Sequence, residues 1–419
     1  MRRGKLSTLG FLVIILIVVV SMLTFGCKST SSTSTTTTQA KTLKIGYEDW
    51  TSFPPGMFWA KELQLMTDLI NQQGGLTVGG DKYNIDLITY DSNNTQTTAM
   101  AAINKLVYQD QVKFILTGTG GSVESALSIT EPNKVLVSCM AMGPTVLDSK
   151  YNYVFMTGVG NCGTVIFSKW FLETYPDKND IVIVMPDMQM GHILGAAQMA
   201  IMKSAGLNVR DEYYPPDQTD LSSLGTKIKS ENPGAVWIVQ VPPIKAIRDA
   251  GYTGLVMSVQ AYAIDDLLAQ STPEALEGYI GEAMPTEFDP ALTTTAQDFK
   301  NAYIAKYGKW DNMDMLGTTI YQALITAIQK AGSVDVDKVA AVLSNGMTWT
   351  SPVGEQKMVS RPDMGNSRTV DSVTSFYIKQ IQNGKPQLIA TINLADAVKS
   401  YTDSLANMPP MSGPPPAGH

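Results

Sequence analysis

Histidine and cysteine are scarce in this chain, and their scarcity removes most catalytic chemistry. Of 419 residues only His192 and His419 are histidines, and only Cys27, Cys139 and Cys162 are cysteines. A Ser–His–Asp arrangement would have to use His192, because His419 stands in the terminal tail. No HExxH run and no Cys/His cluster offers metal-ligand spacing. Nothing resembles a nucleophile elbow. Gly118-Thr-Gly-Gly121 lacks the Gly-Lys-Ser/Thr of a phosphate-binding loop. These absences argue against an enzyme, and no metal or other cofactor is expected.

Basic residues are outnumbered too. The chain has 31 Lys and Arg against 38 Asp and Glu, a formal net charge of −7. Without residues 1–26 it has 28 against 38, a net −10. An acidic protein repels phosphate backbones, so nucleic acid is not an expected partner. There is no short internal repeat. The length suits two α/β domains of ordinary size.

Long apolar runs are confined to one place. Arg2, Arg3 and Lys5 precede an almost unbroken apolar run from Leu9 to Leu23. This is the charged n-region and apolar h-region of an export signal, residues 1–26. The other reading is an uncleaved anchor, because Leu9–Phe25 would span a thin bilayer. Cys27 follows Leu23-Thr-Phe-Gly26 and resembles the cysteine of a lipobox, although Thr24 stands where leucine is preferred and Phe25 is bulky. That resemblance implies lipid attachment at Cys27, a membrane association through the lipid alone, and a place in the periplasm or on the outer cell surface. Residues 27–41 are Ser/Thr-rich and read as a solvated tether. Residues 397–419, ending in a Pro-rich run from Met408, read as a disordered tail. In an exported protein Cys139 and Cys162 are permitted to pair, with two buried free thiols as the default.

What the chain does carry is a βα rhythm. Phe114–Thr117 is apolar and ends in Gly118-Thr-Gly-Gly-Ser122; a helical run follows, then apolar Val135–Ser138 and the loop Cys139–Pro144. Both loops leave the carboxyl ends of strands, where open α/β sheets hold ligands. Glycines let a backbone approach a ligand closely, and helix-start N–H groups favour a polar or anionic group. Tight turns with no ligand are the alternative at this stage. Upstream, Leu43–Gly46 and Tyr83–Tyr90 read as strands around a helix from Gly56 to Asn71. The rhythm restarts after residue 160, with strands at Ile181–Met185, Val209–Tyr214, Ala235–Val239 and Leu255–Ser258, which suggests two similar lobes. Late helices follow at Thr294–Tyr307 and Asp314–Ala331. A strand pair is expected around Asn383-Gly384.

From Leu43 to about Gly332 the chain resembles a type I periplasmic binding protein, most of all the branched-chain amino-acid receptors of ABC importers. The resemblance rests on Leu43-Lys-Ile-Gly46, Ile70-Asn-Gln-Gln-Gly-Gly75, Ile85–Asp91, Ile115–Ser122, Tyr214–Leu224 and Phe299–Gly308, in order and at family spacing. It implies an α/β protein with two Rossmann-like lobes, parallel sheets and three crossover strands. It also implies a small-molecule ligand, ABC importer membrane subunits as partners, and a monomer. Lobe 1 would comprise 42–158 and 286–350, and lobe 2 159–285 and 351–396, with crossings at Thr157–Gly160, Ala283–Thr286 and Ser351–Gly354. A sensor role, presenting the ligand to a membrane signalling protein, is the alternative.

Carried over residue by residue, the family's carboxylate-holding loop matches Gly120, Gly121 and Ser122. The hydroxyl position of the next loop falls on Met142, after Met140 and Ala141. The second-lobe aromatic position falls on Met190, and the acid that would pair a ligand amine falls on Gln260. Trp50, with Tyr47 before it, fills the first-loop aromatic position; Gln240 and Tyr262 complete the expected set. The methionines would form a soft pocket wall, core or surface packing being the other reading. A neutral Gln260 cannot compensate a buried ammonium. The ligand is therefore expected to be a small carboxylate or amide without an α-ammonium group. If the alignment is shifted by a few residues, Asp265 serves as the amine partner and an amino acid is restored.

Overall fold

The computed structural model describes residues 40–406, except 53, 94, 119–120, 141–143, 159, 260–261, 263, 284–293 and 311–314. Strand β1 (Lys41–Asp49) starts with alternation: Leu43 and Ile45 are buried while Thr42 and Lys44 are exposed. It continues past the expected loop start at Tyr47 and stays buried to Asp49. Beside it lie β2 (Leu76–Val78), β3 (Asp81–Asp91), β4 (Phe114–Thr117), β5 (Leu136–Cys139) and β6 (Val154–Met156). Their order is β2-β3-β1-β4-β5-β6, parallel apart from the edge strand β2. Every residue of β4 and β5 is buried, as expected of central parallel strands covered on both faces.

Helices Pro54–Gln72 and Gly317–Ala331 cover one face, and Leu63, Ile320, Leu324 and Ile328 meet Ile45, Phe114 and Leu136 in a first core. Each fully buried aliphatic side chain of this kind contributes about 1.5–3 kcal/mol of burial free energy. The helix Gly317–Ala331 stops at Gly332, whose φ of 57° lets the chain turn off in the left-handed region.

The second sheet repeats the plan. It contains β7 (Asp180–Pro186), β8 (Asn208–Tyr214), β9 (Ala235–Ile238), β10 (Leu255–Ser258) and β11 (Ile280–Glu282). The parallel order β8-β7-β9-β10-β11 matches β3-β1-β4-β5-β6 strand for strand. In both, the chain steps to one side of the opening strand and then returns to its other side. The carboxyl ends of β1 and β4, and of β7 and β9, are therefore topological switch points. A core of Phe167, Phe171, Trp237 and Phe376 fills one face, with the Phe167 and Trp237 rings edge-on at 5.0 Å.

Strands β12 (Thr348–Ser351), β13 (Gly354–Arg361) and β14 (Asn366–Thr374) form a third, antiparallel sheet. Strands β15 (Phe376–Gln382) and β16 (Lys385–Ile392) extend the second sheet, with Asn383 and Gly384 at φ 54° and 69° in the turn between them. Segment 351–354, expected as a crossing, is the turn between β12 and β13. Trp349, Val353, Met358 and Val370 pack in the first core, whereas Val359, Val373 and Phe376 pack in the second. The chain thus passes between cores inside β13 and β14.

Residues 397–405, expected as disordered tail, are instead helical within Leu394–Leu405. Ala397, Tyr401 and Leu405, spaced four apart, put one face into the second core, and Asn393 caps the helix by accepting from the Asp396 amide. Residues 407–419 lie outside the described part. Cys139 and Cys162 are both buried and are not joined in a disulfide. No described helix is long and apolar enough to cross a membrane.

Candidate functional site

The two switch points carry the chemistry. In the first lobe, β1 ends in Tyr47-Glu-Asp49, and Glu48 lies opposite Thr117 across the β1–β4 pair. Tyr47, Glu48 and Asp49 are all fully buried. Tyr47, expected on the ligand wall, sits in the first core beneath the site. Its hydroxyl donates to Asp49 Oδ2 at 2.6 Å, with the Gly56 carbonyl at 3.4 Å. Burial, then the carboxylates of Asp49, Glu62 and Glu48, push that hydroxyl's pKa well up, so it stays a donor. The Trp50 amide donates to Asp49 Oδ1 at 2.7 Å. Thr117 Oγ1 stands 3.4 Å from Glu48 Oε2. Trp50 itself is half-buried in the turn that follows.

Gly118 follows β4, and its lack of a side chain has a local cause. A methyl there would stand 2.2 Å from Asp49 Oδ2 and 2.4 Å from the Trp59 ring. The close approach that this glycine permits is therefore to Asp49 and Trp59. A methyl at Gly317 would meet Glu62 Oε2 at 2.7 Å and Trp59 Cβ at 3.0 Å. Asp49, Trp59, Glu62 and the two glycines thus form one close-packed group at the first switch point. The sequence reading missed Asp49, Trp59 and Glu62. A signal was present: Glu62 interrupts the apolar face of the helix Pro54–Gln72 one turn after Trp59.

Among the other expected residues, Gly121 and Ser122 open the helix Gly121–Thr130, at the strand's carboxyl edge as anticipated. Gly120, Ala141, Met142, Gln260 and Cys27 lie outside the described residues. Met140 is 3% exposed and belongs to the first core; its amide bonds the Thr117 carbonyl at 3.0 Å, and it abuts Gly158 so closely that a methyl there would overlap it. It is core packing on the first crossing.

In the second lobe, Met190 lies in the first turn of the helix Gln189–Ser204, directly after β7. Asp187 pairs with His192 Nε2 at 2.8 Å, and the imidazole lies over the Tyr213 ring at 4.2 Å. Gln240 follows β9, is exposed, and accepts from Tyr214 Oη at 3.2 Å. Tyr262 follows β10; its hydroxyl donates to the Val239 carbonyl at 2.8 Å, and its own carbonyl accepts from Lys379. Burial pushes the Tyr214 and Tyr262 hydroxyls up to about 12, so both act as neutral donors at neutral pH. Gln240 and Tyr214 also border a cavity of about 750 Å³ at this edge, shared with Ser222, Thr226 and Gln270. Asp265 and Asp266 sit in the first turn of the helix Ile264–Gln270, as helix-start residues.

The arrangement offers amide, hydroxyl, aromatic and backbone groups at the carboxyl ends of the strands of each sheet. Among the described residues there is no cluster of His, Cys, Asp or Glu able to hold a metal ion. It is equipment for holding a small organic molecule.

Comparison with known proteins is consistent with that geometry. A model described as periplasmic binding protein matches residues 55–385. A Leu/Ile/Val-binding protein of Rhizobium johnstonii is 23% identical over 303 residues, covering 70% of this chain and 80% of the relative. A leucine-binding protein from Thermotoga maritima superposes with a TM-score of 0.64 at 21% identity, over 84% of this chain and 99% of that one. A solute-binding protein of an R. palustris ABC transporter, solved with benzoate, gives a TM-score of 0.62 at 17% identity, over 84% and 97%.

Proposed function

We propose that this chain, which belongs to the periplasmic binding protein family, is a solute-binding protein of the branched-chain amino-acid ABC-importer type and captures a small organic acid, amide or amino acid between its two lobes. The observation that carries this is the repeated strand order, which gives each lobe a switch point at its strands' carboxyl ends. The leucine and benzoate of its structural relatives share one carboxylate on an apolar body. Gly121 and Ser122 at a helix start suit the carboxylate, and Trp50 and Tyr262 suit the apolar body. Closure about the crossings gains affinity from contacts made only in the closed form.

Attachment through a lipid on Cys27 would keep the lobes outside the cytoplasm, at the membrane, as a monomer serving importer membrane subunits. Changing Cys27→Ala should then release the protein into the soluble fraction.

The test is a thermal-shift screen of leucine, isoleucine, valine, benzoate and benzamide, followed by calorimetry of the hits and X-ray scattering. A stabilising ligand should also shrink the radius of gyration. Saturating binding with no change in that radius would remove the closing-lobe mechanism.

A further inference from the structure

We propose that Asp49 is a positioning residue for solute capture: its one carboxylate and one carbonyl hold the chain ends of β1, β3 and β4 in register at the first switch point. This rests on the solute-capture reading of that site. Oδ1 accepts the Trp50 amide at 2.7 Å, which fixes the chain as it leaves β1. Oδ2 accepts the Tyr47 hydroxyl at 2.6 Å and stands where a side chain on Gly118 would be, against the first residue after β4. The Asp49 carbonyl accepts the Thr51 amide at 3.0 Å and the Ser92 amide at 2.8 Å, the latter directly after β3. Three loops thus converge on one fully buried residue.

A carboxylate kept out of water is costly unless hydrogen bonds compensate it. An apolar residue would fill the space at lower cost but could not accept from Trp50 and Tyr47. What the carboxylate adds is a fixed acceptor at a point where several loop ends must agree. A binding constellation has to be held to within about 0.5 Å by groups behind it. Asp49 stands behind Trp50, Gly118 and, through the Tyr47 hydroxyl near the Gly56 carbonyl, the start of the helix that carries Trp59.

The test compares Asp49→Ala, Asp49→Asn and Tyr47→Phe with the wild type in the full chain. It reads hydrogen exchange in peptides 50–56 and 114–123, with 180–186 of the second lobe as a folding control. Leucine and benzoate are the binding probes. Asp49→Ala should speed exchange in the two first-lobe peptides by about tenfold or more, the low end for a lost hydrogen bond to a charged group, and leave 180–186 unchanged. Whichever probe binds the wild type should bind Asp49→Ala about tenfold more weakly. Asp49→Asn, which keeps an acceptor for the Trp50 amide, should fall between. If Asp49→Ala does not fold, Tyr47→Phe carries the test, since it removes the bond to Oδ2 and the longer contact to the Gly56 carbonyl while leaving Asp49 and its bond to the Trp50 amide in place. Unchanged exchange in both variants overturns the proposal, as does faster exchange with undiminished probe binding. Faster exchange in a protein whose wild type binds neither probe upholds the positioning role and counts instead against the ligand class.

Discussion

Arg361→Met should be among the most damaging single changes in this protein. Arg361 is 3% exposed and lies where β13 passes from the first core to the second. Its Nε and Nη2 donate to the two oxygens of Asp363 at 2.8 and 2.6 Å, and Nη1 donates to Asp371 Oδ2 at 3.0 Å. Both carboxylates are wholly buried as side chains. Tyr401, from the last helix, adds a bond to Asp371 at 2.7 Å. Burial by itself would lower the Arg361 pKa, but Tyr401, Asp363 and Asp371 together raise it, so the guanidinium is always charged. Methionine fills much of the volume but leaves two buried carboxylates without their cation. Breaking a buried pair costs about 3–5 kcal/mol, and two acids against one lost base place this site toward the upper end.

The pH dependence follows from the same groups. Burial already raises the Asp371 carboxyl above the ordinary carboxylate value of about 4, against the opposing pull of Arg361, and removing the cation leaves that burial less opposed. The folded variant then holds protons that the unfolded chain has released, so its stability falls as pH rises through that window and recovers on acidification. Urea unfolding of both proteins should show a larger stability gap at about pH 8 than at about pH 5. Adding Asp363→Asn and Asp371→Asn to Arg361→Met should restore part of the loss. A gap below about 1 kcal/mol, the scale of an exposed pair, or one that widens in acid, would refute the reasoning.

Tyr401→Phe removes a donor to Asp371 and should lower stability by about 1.5–3 kcal/mol, read as a shift in urea midpoint; an unchanged midpoint would show that Asp371 does not need it. Gly118→Ala places a methyl against Asp49 and Trp59 and should cost about 1–3 kcal/mol while weakening ligand capture; calorimetry showing full affinity would separate that loop from the site. Burial pushes both the Cys139 and Cys162 thiols up, so iodoacetamide should modify them only after denaturation. Fast labelling of the native protein in mass spectra would contradict their burial.

The central strands and the doubling of the fold were legible in the sequence, because local patterns carry them. Phe114–Leu116 and Ala235–Ile238 are apolar throughout, Asn383-Gly384 meets the left-handed turn's requirement, and the βα rhythm restarts after residue 160. Such signals need no knowledge of distant neighbours. The loops after β4 and β5 leave the carboxyl ends of parallel strands, as their apolar runs ending in small residues indicate. What lay beyond reach was any feature whose meaning depends on a partner far along the chain. Gln356 and Arg361 of β13 are polar, yet both are buried, with Ser351, Asp363 and Asp371 as their partners. The segment 397–405 reads as a tail until its Tyr401 finds Asp371, 30 residues away. Tyr47 reads as a ligand-wall residue and Asp49 only as part of the loop after it; the tertiary structure shows them as a buried pair beside Gly118. A polar side chain's environment is set by what it bonds across the fold, and sequence spacing does not encode those distances.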